Sequence, residues 1–282
     1  MAERQFFKAT DPQEACDLLA QYGGKARLLA GGTDLMVAVN QRQLSPEVLV
    51  YLGDSGLNYI NSESDNLVIG AATPFTDIMG SNLVREEAPL LAEVISHIAS
   101  PAIRNVGTIG GNLANGSPAA DSATALLALG ASLKLVSKAG DRVVAVEEFF
   151  TGPGETTLEP TELIQEVIIP KKAGEAKWAY RKLGKRKAQT LSIVSVAICC
   201  PLDGGQCQGT RIALGAVAPT PILASEASAL LEGKILSEGL IDESAKAAAD
   251  ASNPIDDVRG SAWYRRRAIE ALVRQLLAQI SA

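Results

Sequence analysis

The sequence predicts an α+β protein built from two units, and three observations carry that prediction. The chain has 282 residues, 47% of them hydrophobic and 21% charged. That is the balance of a globular protein, long enough for two compact units at roughly 100–200 residues each. Toward the C-terminus the strand-like runs WAYRKL, LSIVSVAICC and RIALGAV come first and helical patterning follows, the order of a small sheet covered by helices. Between the halves, the stretch KKAGEAK after the strand LIQEVIIP marks a boundary, giving residues 1–173 and 174–282, the former subdivided into about 1–57 and 58–173.

Taken in order, the first helix is defined by its ends. Asp11 is placed to cap it, Pro12 suits its first turn, Glu14 stands three after Asp11, and Gly23 closes an apolar stripe of Ala15, Leu18, Leu19 and Tyr22. ARLLA (26–30) reads as a strand, GGTD as a tight turn, LMVAVN as a short helix and VLVYL (48–52) as a further strand. LVIGA (67–71) opens the next region, where Thr73 is expected to cap a helix with Pro74 at its first position. One helix is expected over about 87–98, with Leu90, Leu91, Val94, Ile95 and Ile98 on a shared face and Pro101 ending it. Residues 106–121, VGTIGGNLANGSPAAD, read as an irregular loop of functional length. SATALLALG then reads as a buried helix closed by Gly130, SLKLV and RVVAV as a hairpin around AGD, and LDGGQ (202–206) as a turn. In the last helix Ile269, Leu272, Val273, Leu276, Leu277 and Ile280 recur at helical spacing.

Composition removes several functions. With 26 basic and 32 acidic residues the net charge is −6, which argues against nucleic acid as the main partner. Cys16, Cys199, Cys200 and Cys207 contain no C-x-x-C pair, so neither a disulfide framework nor a metal or iron-sulfur centre held by this chain alone is expected. His97 is the lone histidine and lies in the apolar stretch LLAEVISHIAS, where a structural role on a helix is expected over a catalytic triad. MAERQFF lacks the apolar region of a signal peptide, and no run reaches the roughly 18 apolar residues of a membrane span, so a cytoplasmic protein is expected.

The chemistry concentrates in two glycine turns. In LLAGGTDL (28–35), Gly31 and Gly32 allow successive N–H groups to face one concavity and hold phosphate oxygens. In TIGGNLANGSPAAD, Gly110 and Gly111 supply a second bare backbone, Thr108 and Asn112 offer side-chain hydrogen bonds, and Asp121 can accept from ribose or ribityl hydroxyls. Donors for phosphate beside an acceptor for hydroxyls suit a dinucleotide. Each segment alone is equally a structural turn or a surface loop that satisfies its own backbone. No G-x-G-x-x-G occurs, and GNLANGSP has P-loop glycine spacing but Ser117 and Pro118 where Lys and Ser/Thr belong.

LLAGGTDL, then IRNVGTIGGNLANGSPAAD, then FFTGPG, in that order, resemble the FAD-binding medium subunit of molybdenum hydroxylases, a family that includes flavin subunits of bacterial xanthine dehydrogenase and carbon monoxide dehydrogenase. The resemblance continues through RKLGKRKA and RIALGAVAPTP to the terminal helix. It implies a two-part FAD-binding domain of the vanillyl-alcohol-oxidase-like (PCMH) type, followed by a C-terminal domain with a small antiparallel sheet and helices. It also implies contacts: Leu28, Leu29, Ala30, Gly31, Gly32, Thr33, Asp34 and Leu35, with Thr108, Ile109, Gly110, Gly111 and Asn112, along the FAD pyrophosphate. Asp121 would bind a cofactor hydroxyl, Lys182 would lie near the flavin ring, and Ile98 and Gln165 would contact the cofactor through backbone or shape. No catalytic residue and no metal ligand is implied for this chain.

The implied activity is electron relay. FAD would pass electrons from a two-cluster iron-sulfur small subunit, itself fed by a molybdopterin-binding large subunit, to NAD or another acceptor. The xanthine dehydrogenase type is the nearest flavour, with a carbon monoxide or aromatic or N-heterocycle dehydrogenase as the alternative. A non-redox nucleotide-binding scaffold is the alternative of another class. Lys182 is expected to stabilise the anionic reduced flavin. The basic run RKLGKRK (181–187) is either a solvated face or a loop that attracts a phosphorylated acceptor; the acidic residue that follows it in some relatives is replaced by Gln189 and Thr190. Cys199 and Cys200 are expected in the core, and Arg265, Arg266 and Arg267 at solvent or a subunit contact.

Overall fold

The computed structural model describes residues 4–171, 175–186 and 188–282. The expected boundary at 173/174 and Lys187 of the basic run lie outside the described residues.

The first layer comprises β1 (Gln5–Lys8), α1 (Pro12–Tyr22), β2 (Ala26–Leu29), α2 (Leu35–Asn40) and β3 (Val48–Tyr51). Its strands form a parallel sheet in the order β1-β3-β2, with Phe6 opposite Leu49 and Leu28 opposite Val50. Helix α1 starts as its sequence requires: the Asp11 carboxylate accepts from the Glu14 amide at 2.8 Å, and Gly23 ends it at φ 53°. Its Ala15, Cys16 and Leu19 pack with Val48 and Val50 in a small core.

The middle layer holds β4 (Ile60–Ser62), β5 (Asn66–Gly70), α3 (Phe75–Gly80), α4 (Asn82–Glu87), α5 (Pro89–Ser96), α6 (Pro101–Arg104), α7 (Ile109–Ala114) and α8 (Asp121–Leu129). It continues with β6 (Ser132–Ser137), β7 (Gly140–Ala145), α9 (Val146–Phe149), β8 (Phe150–Gly152), β9 (Glu155–Thr156) and β10 (Leu163–Pro170). An antiparallel sheet runs β4-β5-β10-β6-β7, and every residue of α8 is buried. Gly130 closes α8 in the left-handed region, at φ 67°.

The helix expected over about 87–98 is α5, Pro89–Ser96, with Leu90, Leu91, Val94 and Ile95 buried; it is separate from α4 because the chain leaves helical geometry at Ala88 (φ −143°) ahead of Pro89. Two expectations are corrected here. Residues 106–121 are not irregular throughout: α7 forms inside them, its two glycines offset by the Thr108 cap and by burial of Ile109 and Leu113. Pro74, not Thr73, caps α3, since the buried Thr73 hydroxyl is bonded to both the amide and the carbonyl of Tyr59 at 3.1 Å.

The last layer is β11 (Glu175–Leu183), β12 (Val194–Asp203), β13 (Gln206–Cys207), β14 (Arg211–Gly215), β15 (Ile222–Leu223), α10 (Ser225–Ala229), α11 (Glu238–Asp250) and α12 (Ala262–Ser281). Its antiparallel sheet runs β11-β12-β14-β15 and has two apolar faces. Val194, Val196, Ile198 and Cys200 join the core under α11 and α12, while Ala197, Cys199 and Ala213 join the core around α8. Cys199 and Cys200 are therefore core residues, as expected. The approach to α8 is close: a Cβ on Gly215 would lie 2.3 Å from the Thr124 hydroxyl. Helix α8 is thus clamped between two sheets, and its first turn faces β11.

Arg265 is also corrected. Arg266 and Arg267 are exposed, but Arg265 is 2% exposed, donating to the Ala216 carbonyl at 2.9 Å and to Asp257. Burial pushes the Asp257 carboxyl up, but hydrogen bonds from Arg259 and Arg265 outweigh it and hold the group well below the usual carboxylate range.

Candidate functional site

The three layers enclose a cavity of about 910 Å³. Both glycine turns reach it because their backbones touch. A Cβ on Gly31 would lie 1.9 Å from the Val106 carbonyl oxygen, so only glycine permits this approach between the β2–α2 turn and the segment leading into α7.

On the first turn, Gly32 takes φ 68° and its carbonyl accepts from Met36, opening α2. The amides of Gly31, Gly32, Thr33 and Asp34 make no hydrogen bond among the described residues, and Asp34 caps α2 without a side-chain bond. Four neighbouring N–H groups left open beside a cavity form a donor array suited to an anionic diphosphate. The second turn is closed on itself. Ile109 N–H donates to the Thr73 carbonyl at 3.2 Å and Gly110 N–H to the Ala71 carbonyl at 2.9 Å. Gly111 N–H donates to Thr108 Oγ1 at 3.1 Å and Asn112 N–H to the Thr108 carbonyl at 3.0 Å. Gly110 is required for packing, since its Cβ would meet that of Ala71 at 2.5 Å. The second turn thus spends its amides from Ile109 to Asn112 within the protein, and of its wall residues only the Thr108 N–H has no hydrogen-bond partner among the described residues.

Beyond the turns, the start of α8 meets β11. Lys182 Nζ donates to Asp121 Oδ2 at 2.6 Å and to the His97 carbonyl at 3.2 Å, and Ser192 Oγ donates to Asp121 Oδ1 at 2.6 Å. Lys182 and Asp121 are only 9% and 5% exposed at the side chain, so this ion pair is shielded from water. The Tyr180 hydroxyl is buried beside it without a hydrogen-bond partner among the described residues. Burial pushes that hydroxyl well above its usual range, and the Asp121 charge adds to the effect. His97 ends α5 with its ring paired to Glu93 at 3.1 Å, in keeping with a structural role.

Leu28, Ala30, Gly31 to Leu35, Ile98, Thr108, Gly110 to Asn112, Asp121 and Lys182 all stand on the cavity wall. Leu29, Ile109 and Gln165 do not. Leu29 is tied into the parallel sheet through its carbonyl, which accepts from Leu52; Ile109 is fully buried; Gln165 sits at a bulge of β10, where its carbonyl accepts from the wall residue Ala71. Sequence reasoning missed Leu158 to Pro160, Glu162 to Ile164 and Leu191, which line the cavity; Arg186, Gln189 and Thr190, in or just after the basic run weighed as a solvated face or an acceptor loop, line it too. In this loop Gln189 takes a positive φ of 51°, and its carbonyl accepts from Arg186 at 2.9 Å. Arg186 is thus held at the cavity rim, whereas Lys185 donates to the Val258 carbonyl.

Fold and cavity define an α+β protein built to hold an extended, phosphate-bearing cofactor. Residues 2–172 match the family described as FAD binding domain in molybdopterin dehydrogenase, and residues 178–280 match the CO dehydrogenase flavoprotein C-terminal domain. The chain is 36% identical to the carbon monoxide dehydrogenase medium chain of Afipia carboxidovorans, over 95% of this chain and 93% of that one. It is 31% identical to a xanthine dehydrogenase FAD-binding subunit of Escherichia coli, over 97% and 94% respectively. Carbon monoxide dehydrogenase from Hydrogenophaga pseudoflava superposes with a TM-score of 0.94 at 36% identity, covering 99% of this chain and 97% of that one. The chain belongs to the FAD-binding medium subunits of the molybdenum hydroxylases and is an oxidoreductase subunit. No helix among the described residues is long and apolar enough to cross a membrane.

Proposed function

We propose that FAD lies in the 910 Å³ cavity with its diphosphate against the open amides of Gly31 to Asp34 and its length along the second turn toward Lys182. The observation that carries this reading is the backbone contact of Gly31 with Val106, which brings both turns to one wall. Thr108, Gly110, Gly111 and Asn112 would supply shape and van der Waals contact, and Ile98 an apolar surface. Leu29, Ile109 and Gln165 would act through the backbone they fix. Asp121 would hold Lys182 first and reach a cofactor hydroxyl only through its remaining lone pairs, because both of its oxygens already accept hydrogen bonds.

When bound, FAD supplies the conversion between single-electron and hydride transfer that a nicotinamide acceptor requires. The protein's part is to hold it, to exclude water behind Phe75, Leu163 and Ile164, and to present the Lys182–Asp121 pair at the wall. The partners in this reading are a molybdopterin-binding large subunit and a two-cluster iron-sulfur small subunit in the cytoplasm, with NAD or another acceptor at the end. Arg186 at the rim supports a phosphorylated acceptor. The xanthine type remains the reading for the complex. A carbon monoxide or N-heterocycle dehydrogenase is the second reading, favoured by the higher identity to a carbon monoxide dehydrogenase chain, 36% against 31%.

Purified complex should be yellow-brown and should bleach with dithionite, with one FAD per copy of this chain. Protein that stays free of flavin after incubation with excess FAD would favour the non-redox scaffold. Bleaching by NADH, compared with reduction of artificial acceptors, tests NAD as the partner.

A further inference from the structure

Ser192 belongs to none of the cofactor motifs and lies off the cavity wall, yet its hydroxyl bonds directly to the carboxylate of the wall residue Asp121. It is fully buried, two residues before β12, and donates to Asp121 Oδ1 at 2.6 Å. Asp121 Oδ2 takes Lys182. The carboxylate is therefore held between a hydroxyl and an ammonium, one on each oxygen, in a place water scarcely reaches. A buried carboxylate keeps its direction only when both oxygens are satisfied. Ser192 is itself held in place: its carbonyl accepts from Arg259 Nη1 at 3.4 Å, and Arg259 is fixed by a two-point contact with Asp257 at 2.9 and 2.6 Å.

We infer that Ser192 is a positioning residue that aims Asp121 at Lys182 and so sets how closely the Lys182 charge is neutralised where the flavin would lie. The inference rests on the proposal that FAD occupies this cavity. With Ser192 in place, the Lys182 charge is closely neutralised. Without its hydroxyl, Oδ1 loses its donor, and the carboxylate shifts toward the buried Tyr180 hydroxyl, which already faces Asp121 without a full hydrogen bond among the described residues. Lys182 then keeps its charge with a poorer counterion. A more positive wall favours the more negatively charged reduced cofactor, so the flavin midpoint potential moves upward.

The test compares wild type, Ser192→Ala and Ser192→Thr in the purified complex, reading the midpoint potential of bound flavin and its dissociation constant after removal and readdition of FAD. Ser192→Ala is expected to raise the potential and to weaken FAD binding roughly tenfold, with Ser192→Thr restoring both. A Ser192→Ala complex with lower thermal stability but unchanged potential and affinity would make Ser192 merely structural and overturn the inference. If Ser192→Ala does not yield folded complex, Ser192→Cys keeps the volume and weakens the donor. An intermediate upward shift then supports the inference and an unmoved potential overturns it. Wild type that takes up no FAD at all refutes the cofactor assignment instead, so the two failures are distinct.

Discussion

GGTD and TIGGN look alike as strings, each a pair of glycines beside a threonine, yet the two turns use their glycines in opposite ways. At the first, Gly31 and Gly32 let the chain bend so that four consecutive amides are left open and the backbone can touch Val106. At the second, the glycines sit inside α7, and the amides from Ile109 to Asn112 are spent on Ala71, Thr73 and Thr108. Paired glycines therefore do not by themselves define a phosphate cradle. What decides is whether neighbouring acceptors take up the first-turn amides, as Ala71, Thr73 and Thr108 do at α7, or leave them open, as at α2.

The largest effect should come from closing the contact between the turns. In Gly31→Ala the new methyl meets a carbonyl oxygen at 1.9 Å, and because both sides are backbone, neither can rotate away. The turns must part, at a cost of about 3 kcal/mol or more. Flavin stoichiometry should fall to near zero even where a thermal melt still shows folded protein. Full flavin content in Gly31→Ala would break the claim that this contact forms the site.

Gly110→Ala comes next. Its Cβ would press on Ala71 Cβ at 2.5 Å and on the Ala71 carbonyl at 2.7 Å, the carbonyl that Gly110 N–H uses. Overpacking there should cost about 1–3 kcal/mol, read as a lower melting temperature, with flavin loss following stability rather than exceeding it. Flavin loss without destabilisation would mean that the second turn binds through its backbone as directly as the first.

How much of this was readable beforehand follows from the range of the interactions. Helix α1 was legible because Asp11, Pro12, Glu14 and Gly23 act within a few residues of one another. The cavity wall was legible where glycine is needed and where the family motifs run. The Gly31–Val106 contact and the Lys182–Asp121 pair were not, since they join residues far apart in the chain and no local pattern encodes which partner is met. Helix α7 was hidden because two glycines lower local helix propensity, while its burial is a tertiary effect. Arg265 could have been found: Arg265, Ile269, Val273, Leu276 and Ile280 share the buried face of α12 at helical spacing, a pattern that reading the three arginines as one cluster concealed.

A third prediction acts on the closed turn alone. Thr108 is 6% exposed and caps α7 through Oγ1. Thr108→Ala removes that cap and frees the Gly111 amide, which should lower stability by about 1 kcal/mol. If open amides are what the cofactor needs, this loss of stability should not carry a proportionate loss of FAD affinity, a separation that thermal melts and FAD titration on the same samples would reveal.

The smallest effect on stability is expected at Gly111. Its Cβ would meet only the Thr108 hydroxyl oxygen, at 3.0 Å, and the residue lies inside α7 with negative φ. Alanine recovers up to about 1 kcal/mol of helix propensity there, against slight crowding of the cap, so the net change should fall within about 1 kcal/mol of zero. Gly111 nevertheless stands on the cavity wall. Gly111→Ala should therefore melt close to wild type while binding FAD more weakly, the reverse of Thr108→Ala, because the methyl occupies wall surface that the cofactor would lie against. Equal FAD affinity in Gly111→Ala and wild type would place the cofactor away from the second turn and leave the open amides of the first as its sole backbone anchor.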